Sequence, residues 1–181
     1  MNITVFCGAN PGNDPEYSSC AKELGRLIAE SGHTLVYGAS NAGLMADIAG
    51  ACLDAGGKIT GVVPDIPYIK KLAHPELTRR IDTKDLSERK KVMRELGDAY
   101  IALPGGMGTL DEITEAMEEI KLETAVKKPV IFMNTGGFYN ALSGQLQRMK
   151  SDGFVSKEDT ANICFALTAE KALAFIEDQN K

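Results

Sequence analysis

The chain alternates short apolar runs with longer segments in which apolar residues recur about every 3.6 positions. The apolar runs predict six strands, at residues 3–7, 34–37, 59–63, 100–103, 130–134 and 162–166. The amphipathic segments predict helices at residues 15–31, 43–56, 85–97, 109–123, 138–151 and 168–179. Because each helix carries the chain back across the sheet, this alternation predicts a three-layer Rossmann-like α/β fold, with a mostly parallel sheet of about six to seven strands flanked by helices.

One stretch does not follow the alternation. Residues 64–75 contain three prolines and the Lys70-Lys71 pair, and they show no clear period. We expect this stretch to form a loop or a short helix beside a ligand cleft. No repeat, linker or low-complexity tract interrupts the 181 residues, so a single nucleotide-binding domain over residues 1–181 is predicted.

The formal net charge of −5 limits what the surface can bind. Nonspecific binding to nucleic acid or to an anionic membrane needs a basic face, so we expect neither partner. No apolar run approaches the roughly 18 residues of a transmembrane helix, and the first residues lack the pattern of a secretion signal. We therefore expect a cytoplasmic protein in which any anion-binding site is local.

Cysteines and histidines occur singly along the chain, at Cys7, Cys20, Cys52, Cys164, His33 and His74. No cysteines have C-x-x-C spacing, so reduced thiols are expected. The histidines lack the spacing of metal ligands, and structural roles are expected for both. The sequence therefore predicts no metal site, and no cofactor is expected.

The most informative segment runs from Ala102 to Glu112 and reads ALPGGMGTLDE. An apolar strand leads into a cluster of three glycines, and a helix with paired carboxylates follows. The glycines let the backbone turn sharply and approach a ligand, while the next helix directs unpaired N–H groups and its positive dipole end towards that ligand. The segment predicts a phosphate-binding loop beside an acid; a plain strand-to-helix turn is the alternative.

Two more loops rich in small residues follow predicted strands, at residues 8–12 and 38–43. In open α/β sheets ligands bind beyond the carboxyl ends of the strands, so we expect these loops and the glycine cluster to line one pocket. The cluster lacks the third glycine of the G-x-G-x-x-G motif, and no loop ends in the Gly-Lys-Ser/Thr of a Walker A motif. A dinucleotide dehydrogenase and phosphoryl transfer from ATP are therefore disfavoured.

Glu112 is the candidate acid, and its position allows two interpretations. Thr109 and Glu112 have the spacing of a capping box, in which both side chains bind backbone N–H groups at a helix start. Alternatively, Glu112, Glu115 and Glu119 share a helix face, away from the apolar stripe, that lines the cleft. Acidic residues further along are interpreted as a solvated surface: Glu118, Glu119 and Glu123.

Arg89 lies on the apolar side of its predicted helix, between Leu86 and Met93. A buried guanidinium needs a partner, so Arg89 either pairs with a carboxylate inside the protein or binds a phosphate or ribose. We favour the ligand, and an arginine whose head reaches solvent is the alternative. Lys90 and Lys91 are expected to be solvated, and Lys90 is the better candidate for a ligand role because it adjoins Arg89.

Pro104–Glu112, together with the Glu88-Arg89-Lys90 triplet, resembles the LONELY GUY (LOG) family. The likeness extends over most of the chain, including VFCG at residues 5–8 and GVVP at residues 61–64. The resemblance implies a Rossmann-like homodimer that hydrolyses the N-glycosidic bond of a nucleoside 5'-monophosphate to a free base and ribose 5-phosphate. Cytokinin riboside monophosphates are the family's best-known substrates. Members are often labelled lysine decarboxylases, but the sequence identifies no lysine with the surroundings of a pyridoxal phosphate site.

The resemblance also implies roles for individual residues. Glu112 stabilises the positive charge that develops on the ribose and activates water, and Arg89 positions the substrate. The residues implied to bind substrate or phosphate are Gly8, Gly38, Gly43, Lys90, Gly105, Gly106, Met107, Gly108, Thr109, Asp111 and Glu115.

The chain departs from the family pattern at three places. Ala39-Ser40 stands where members have a longer glycine run, Lys71 where many have glutamate, and Glu118-Glu119 where cytokinin-producing members have Thr-Trp. These departures leave the preferred base open. Two other functions stay as hypotheses: a non-catalytic protein that binds a nucleotide or phosphorylated cofactor, and a structural dimer with a vestigial pocket.

Overall fold

The structure, a computed structural model, describes residues 1–122 and 127–179. The strands are β1 (Asn2–Phe6), β2 (Thr34–Tyr37), β3 (Lys58–Pro64), β4 (Arg79–Thr83), β5 (Ala99–Ala102), β6 (Val130–Met133) and β7 (Ile163–Ala166). The helices are α1 (Pro15–Glu30), α2 (Gly43–Asp54), α3 (Pro67–Lys71), α4 (Leu86–Leu96), α5 (Met107–Lys121), α6 (Asn140–Ser151) and α7 (Ala169–Gln179). Short 3-10 helices lie at Thr135–Gly137 and Glu158–Thr160.

The strands form one parallel sheet in the order β4-β3-β2-β1-β5-β6-β7. Apolar side chains of α1, α2 and α7 cover one face, and those of α4 and α5 cover the other. The predicted three-layer α/β fold is confirmed. The chain order reverses between β1 and β5, where Phe6 pairs with Ala102, and ligands bind beside such reversals in open α/β sheets.

Side-chain caps fix the helix that carries Arg89. Asp85 precedes α4 and accepts a hydrogen bond from the Glu88 backbone N–H at 2.8 Å. The Glu88 carboxylate accepts in turn from the Lys84 N–H at 2.7 Å. These two bonds satisfy N–H groups that a helix start leaves without partners, so they define where α4 begins.

Several predicted bounds differ from the structure by one or two residues, as at the starts of β1 and α6, and two differences affect the edge of the sheet and the site. β4 was not predicted, because this edge strand is mostly exposed and its sequence, RRIDT, carries charges instead of an apolar run. Helix α5 begins at Met107, two residues before the predicted start, and residue 123 of the predicted helix lies outside the described residues. In the proline-rich stretch, the short-helix alternative is confirmed by α3.

The four cysteines are unpaired, in agreement with the expected thiols. His74 has a structural role, since its Nδ1 accepts a hydrogen bond from the Glu76 N–H at 3.2 Å. His33 differs: its Nε2 is buried without a hydrogen-bond partner among the described residues. Within residues 1–122 and 127–179, no helix is long and apolar enough to cross a membrane.

Candidate functional site

A cleft of about 410 Å³ opens beyond the carboxyl ends of β1 and β5, where the sheet order reverses. Residues 7–12, which follow β1, and residues 104–106, which follow β5, line it. Leu44 and Met45 in the first turn of α2 contribute a further wall. Small-molecule sites have volumes of roughly 300–1,000 Å³, so the cleft fits a ligand of nucleotide size.

The loops after β1 and β5 interlock through positions that have no side chain. The Gly8 N–H donates to the Pro104 carbonyl at 3.2 Å, and a Cβ added at Gly8 would lie 3.5 Å from Gly105 Cα. A Cβ at Gly105 would overlap the hydroxyl of Thr109. A Cβ at Gly8 would also lie 2.8 Å from the Asn10 carbonyl oxygen of its own loop, so a side chain at either glycine would force neighbouring atoms to shift.

The glycine cluster leads directly into the N-terminus of α5. Gly106 is the N-cap residue and supplies no side-chain acceptor. Gly105, Gly106, Gly108 and Thr109 all line the cleft. Backbone N–H groups and the positive end of the helix dipole therefore point to this part of the cleft, an arrangement suited to a phosphate group.

Glu112 and Arg89 face each other inside the cleft. Arg89 Nη2 lies 3.3 Å from Glu112 Oε1, and both side chains are 12% exposed. Arg89 Nε is buried and has no hydrogen-bond partner among the described residues. The internal carboxylate partner considered for Arg89 is thus present, and the Arg89 side chain also lines the cleft.

Gly38 makes room for the guanidinium of Arg89. A Cβ at Gly38 would overlap Arg89 Nη2 and would lie 3.3 Å from the Met45 sulfur. Gly38 is therefore not a wall of the cleft but the residue behind Arg89. Any larger side chain there would push Arg89 away from Glu112.

Burial raises the pKa of the Glu112 carboxyl group above its ordinary value, and the positive charge of Arg89 opposes this increase. Because the charged form is costly in a buried position, the carboxyl group is more basic than an exposed glutamate. A carboxylate of raised basicity is suited to accept a proton from water. The electrostatics of the pair therefore favour acid–base chemistry.

The capping-box interpretation of Thr109 and Glu112 is wrong. Helix α5 begins at Met107 after Gly106, so Thr109 is the third residue of the helix and is buried. A capping box requires Thr109 to precede the first turn. Glu112 is therefore free of that role and faces Arg89 instead.

Lys90, Asp111 and Glu115 come together in an ion-pair cluster between α4 and α5. Lys90 Nζ lies 2.9 Å from Asp111 Oδ2 and 2.7 Å from Glu115 Oε2, and Lys90 is not solvated as expected. Arg94, which the sequence reading missed, lies 3.0 Å from Glu115 and binds Glu119 through two nitrogens. The described residues that line the cleft do not include any member of this ion-pair cluster. Ligand binding by Lys90, Asp111 and Glu115 therefore stays a prediction.

The remaining predicted positions lie beside the cleft. Gly43 has a φ of +55°, and a Cβ there would overlap the Ala9 carbonyl, so it packs α2 against the loop after β1. Met107 is 81% exposed at the start of α5.

The positions that depart from the family pattern can also be located. Ala39, in the shortened glycine run, has a φ of +64°, a left-handed conformation that favours glycine. Lys71 and Glu118 are exposed, and Glu123 lies outside the described residues.

Sequence reasoning missed several side chains that line the cleft, among them Cys7, Tyr17 and Phe138. Burial raises the pKa of the Cys7 thiol, and nearby Glu112 adds to the increase, so the thiol stays neutral. The signal for Cys7 was present, because it ends the first apolar run. Tyr17 and Phe138 gave no comparable signal, since their approach depends on the tertiary fold. No group of three or more His, Cys, Asp or Glu residues in the described chain could hold a metal ion.

Comparison with known proteins identifies the family. A family model described as possible lysine decarboxylase matches residues 45–176. A protein of Rhodococcoides fascians named cytokinin riboside 5'-monophosphate phosphoribohydrolase is 38% identical over 176 residues, which cover 97% of this chain and 88% of that protein. The chain belongs to this family, the LOG family. The rice (Oryza sativa subsp. japonica) protein named cytokinin riboside 5'-monophosphate phosphoribohydrolase LOG is 34% identical, with coverage of 97% and 72%.

A solved structure with the same fold is that of the molybdenum cofactor binding protein from Rippkaea orientalis. It matches with a TM-score of 0.77 at 24% identity, over 99% of this chain and 97% of that chain. The likeness extends to the whole sheet and its helices, and at this identity it shows the fold alone.

Proposed function

We propose that this protein hydrolyses the N-glycosidic bond of a nucleoside 5'-monophosphate, releasing a free base and ribose 5-phosphate. The observation that carries the proposal is the buried Glu112–Arg89 pair, with 3.3 Å between Arg89 Nη2 and Glu112 Oε1, in the same cleft as the start of α5. A phosphate site and an acid–base pair lie within one cleft of nucleotide size. The names of the relatives, which are phosphoribohydrolases of cytokinin riboside 5'-monophosphate, support the same reaction.

The reaction needs a negative charge close to the ribose. As the bond between the ribose and the base breaks, C1' becomes positively charged, and a nearby carboxylate stabilises that charge. We assign this role to Glu112, which also takes a proton from the attacking water. The hydroxyl of the water goes to C1', and the proton that Glu112 accepts is then passed to the departing base, which returns Glu112 to its carboxylate form.

The phosphate of the substrate supplies binding energy away from the reacting bond. In the proposal, the backbone of Gly105–Thr109 holds the phosphate at the start of α5, and the guanidinium of Arg89, which lines the same cleft, donates to the ribose or phosphate. Holding the phosphate orients C1' beside Glu112, which lowers the entropic part of the barrier. A nucleoside without the phosphate should therefore react poorly.

The test is a panel of substrates offered to the purified protein: AMP, other common monophosphates, isopentenyladenosine monophosphate, and adenosine. Chromatography follows free base and ribose 5-phosphate. We expect the two products in a one-to-one ratio from at least one monophosphate, and at least about 100-fold lower kcat/KM for adenosine. The ranking of bases then settles whether a cytokinin precursor is preferred.

Tight binding of nucleotides without release of base would overturn the proposal. It would instead establish the alternative, a non-catalytic protein that binds a nucleotide or a phosphorylated cofactor. This alternative is tested because Lys71 and Glu118-Glu119 depart from the family pattern.

We further propose that residues 1–181 act as one nucleotide-binding domain and that the protein is a cytoplasmic homodimer. The single seven-strand sheet supports one domain. Exposed apolar side chains on and beside two neighbouring helices, Leu86 and Leu122, support contact with a second copy. Sedimentation equilibrium of the purified protein tests the dimer directly.

A further inference from the structure

Two aromatic side chains line the cleft together. Phe138 follows the 3-10 helix after β6, and Tyr17 belongs to the first turns of α1. Their ring centroids are 5.7 Å apart in an edge-to-face arrangement. Phe138 is nevertheless 40% exposed, so part of this large apolar ring stays open to the cleft.

The turn that presents Phe138 is held by hydrogen bonds. Asn134 Oδ1 accepts from the Tyr139 N–H at 2.7 Å, and Asn134 Nδ2 donates to Asn140 Oδ1 at 2.8 Å. Gly137 has a φ of +75°, and a Cβ there would lie 2.6 Å from the Asn140 side chain. The Phe138 backbone is therefore fixed before any ligand arrives.

The ring of Phe138 is also supported by its neighbours. It packs edge-to-face on Tyr139, with centroids 4.9 Å apart, and the Tyr139 hydroxyl donates to the Leu103 carbonyl at 2.7 Å. Only Pro104 separates Leu103 from the glycine cluster, so this hydrogen bond joins the aromatic wall to the segment that leads into the phosphate loop. The ring of Tyr17 packs against Gly12, where a Cβ would lie only 2.8 Å from the ring, so glycine leaves the space that the ring occupies.

We propose that Phe138, supported by Tyr17, is the stacking surface for the base of the nucleotide and determines the preference for that base. This inference rests on the proposed function, because it places the base in the cleft that holds the phosphate and Glu112. A rigid, half-exposed ring binds the flat face of a base at little entropic cost. Purines offer a larger face than pyrimidines, so the subsite favours purine nucleotides.

The polar residues of the cleft lie elsewhere on its wall. Arg89 and Glu112 lie beside Gly38 and α2, whereas Tyr17 and Phe138 lie beside Gly12 and the turn after β6. The loop of residues 8–12 runs from one group to the other. A nucleotide with its phosphate at Gly105–Thr109 and its ribose at Glu112 can extend its base along this loop to the aromatic wall.

The experiment separates binding of the base from binding of the ribose phosphate. The variants are F138A, F138L, F138Y and, as a matched control, F154A, since Phe154 is 77% exposed and does not line the cleft. For each we measure KM for AMP and for UMP, the inhibition constant of ribose 5-phosphate, and the melting temperature. F138L guards against unfolding because it keeps an apolar side chain of similar size.

We expect F138A and F138L to raise KM for AMP about tenfold while the inhibition constant of ribose 5-phosphate changes less than twofold. Removal of the ring should also reduce the preference for AMP over UMP. F138Y keeps an aromatic face and should stay close to wild type, as should F154A. An unchanged KM for AMP in F138L, or an equal loss of affinity for ribose 5-phosphate, would overturn the inference.

Failure of the proposed function gives a different result. If the wild-type protein releases no base, calorimetry compares the dissociation constants of AMP and ribose 5-phosphate in the same variants. Weaker binding of AMP alone in F138L would then support the stacking surface without catalysis. No binding of AMP by the wild type would overturn both the subsite and the function.

Discussion

At the scale of single residues, the two largest influences on the pKa of Glu112 oppose each other. Burial raises it, and the positive charge of Arg89 lowers it. Replacing Arg89 with methionine removes the opposing charge while keeping an apolar side chain of similar length. We expect the pKa of Glu112 to rise further in Arg89→Met.

A 13C NMR titration of glutamate-labelled protein measures this change directly. Lys91→Met is the control, because it removes a positive charge from the same helix at a side chain that is 69% exposed. A pKa of Glu112 that falls or stays constant in Arg89→Met would show that the two side chains are not coupled. The control should leave the pKa close to its wild-type value.

Gly38 offers a second test at this scale, because it lies behind the guanidinium. A methyl group in Gly38→Ala would overlap Arg89 Nη2 and displace it from Glu112. We expect kcat/KM for base release to fall at least about tenfold, with a smaller change in the inhibition constant of ribose 5-phosphate, because the backbone of Gly105–Thr109 still holds its phosphate. Gly50→Ala in α2 is the control, since a Cβ at Gly50 meets no atom within 4 Å. If both variants retain full activity, the position of Arg89 is not critical.

Functional residues were easiest to predict from the sequence where a residue did not fit the apolar pattern of its helix. Arg89 stood out because a charge interrupted the apolar side of a helix, and the structure places it in the cleft. Arg94 was missed although it is 6% exposed, because its partners Glu115 and Glu119 lie on another helix. Phe138 was missed for the same reason: only the fold brings it to Tyr17.

At the scale of elements, a ladder of ion pairs fastens α4 to α5. Lys90 and Arg94 on α4 alternate with Asp111, Glu115 and Glu119 on α5. Residues in each series are four apart, so they lie on one side of each helix. Because Arg89 and Glu112 adjoin the first rung, the ladder holds the register of the two helices that carry them.

Arg94→Met should therefore destabilise the protein. The side chain of Arg94 is 7% exposed, but Glu115 and Glu119 are partly exposed, so solvent recovers part of the lost interaction. We expect the free energy of unfolding in urea to fall by about 2 kcal/mol, against less than about 0.5 kcal/mol for the exposed control Lys91→Met. Equal stability of the two variants would mean that the ladder contributes nothing.

The elements themselves were predicted where the burial pattern was simple. Strands buried on both faces, such as β1 and β5, gave uninterrupted apolar runs and were found. β4 was not found because it lies at the edge of the sheet and needs few apolar residues. The start of α5 was placed too late because Thr109 and Glu112 imitate a cap inside a helix that begins at Met107.

At the scale of the whole molecule, the position of the cleft follows from the topology. The reversal between β1 and β5 leaves space beyond their carboxyl ends, and the two loops that follow fill its sides. The sequence therefore predicted where the cleft would form, and ligand binding in that cleft stays a prediction. The identity of the base was beyond it, because the aromatic wall comes from segments far apart in the chain.

A cleft formed this way should couple ligand binding to global stability. A ligand that binds only the folded protein stabilises it, so we expect the melting temperature to rise with AMP concentration, with a stabilisation of about 2.7 kcal/mol at 100 times the dissociation constant. Differential scanning calorimetry measures this shift. A melting temperature independent of every nucleotide tested would favour a structural dimer with a vestigial pocket.

The most direct test of the account is base release by Glu112→Gln. The amide keeps the shape of the carboxyl group but neither stabilises positive charge nor accepts a proton from water. Glu177→Gln in α7 is the matched control, since Glu177 is exposed and does not line the cleft.

We predict that Glu112→Gln lowers kcat for base release from AMP at least about 100-fold while the dissociation constant of AMP stays within a few-fold of wild type. Glu177→Gln should keep wild-type kcat. Base release by Glu112→Gln at the rate of the wild-type protein would contradict the account.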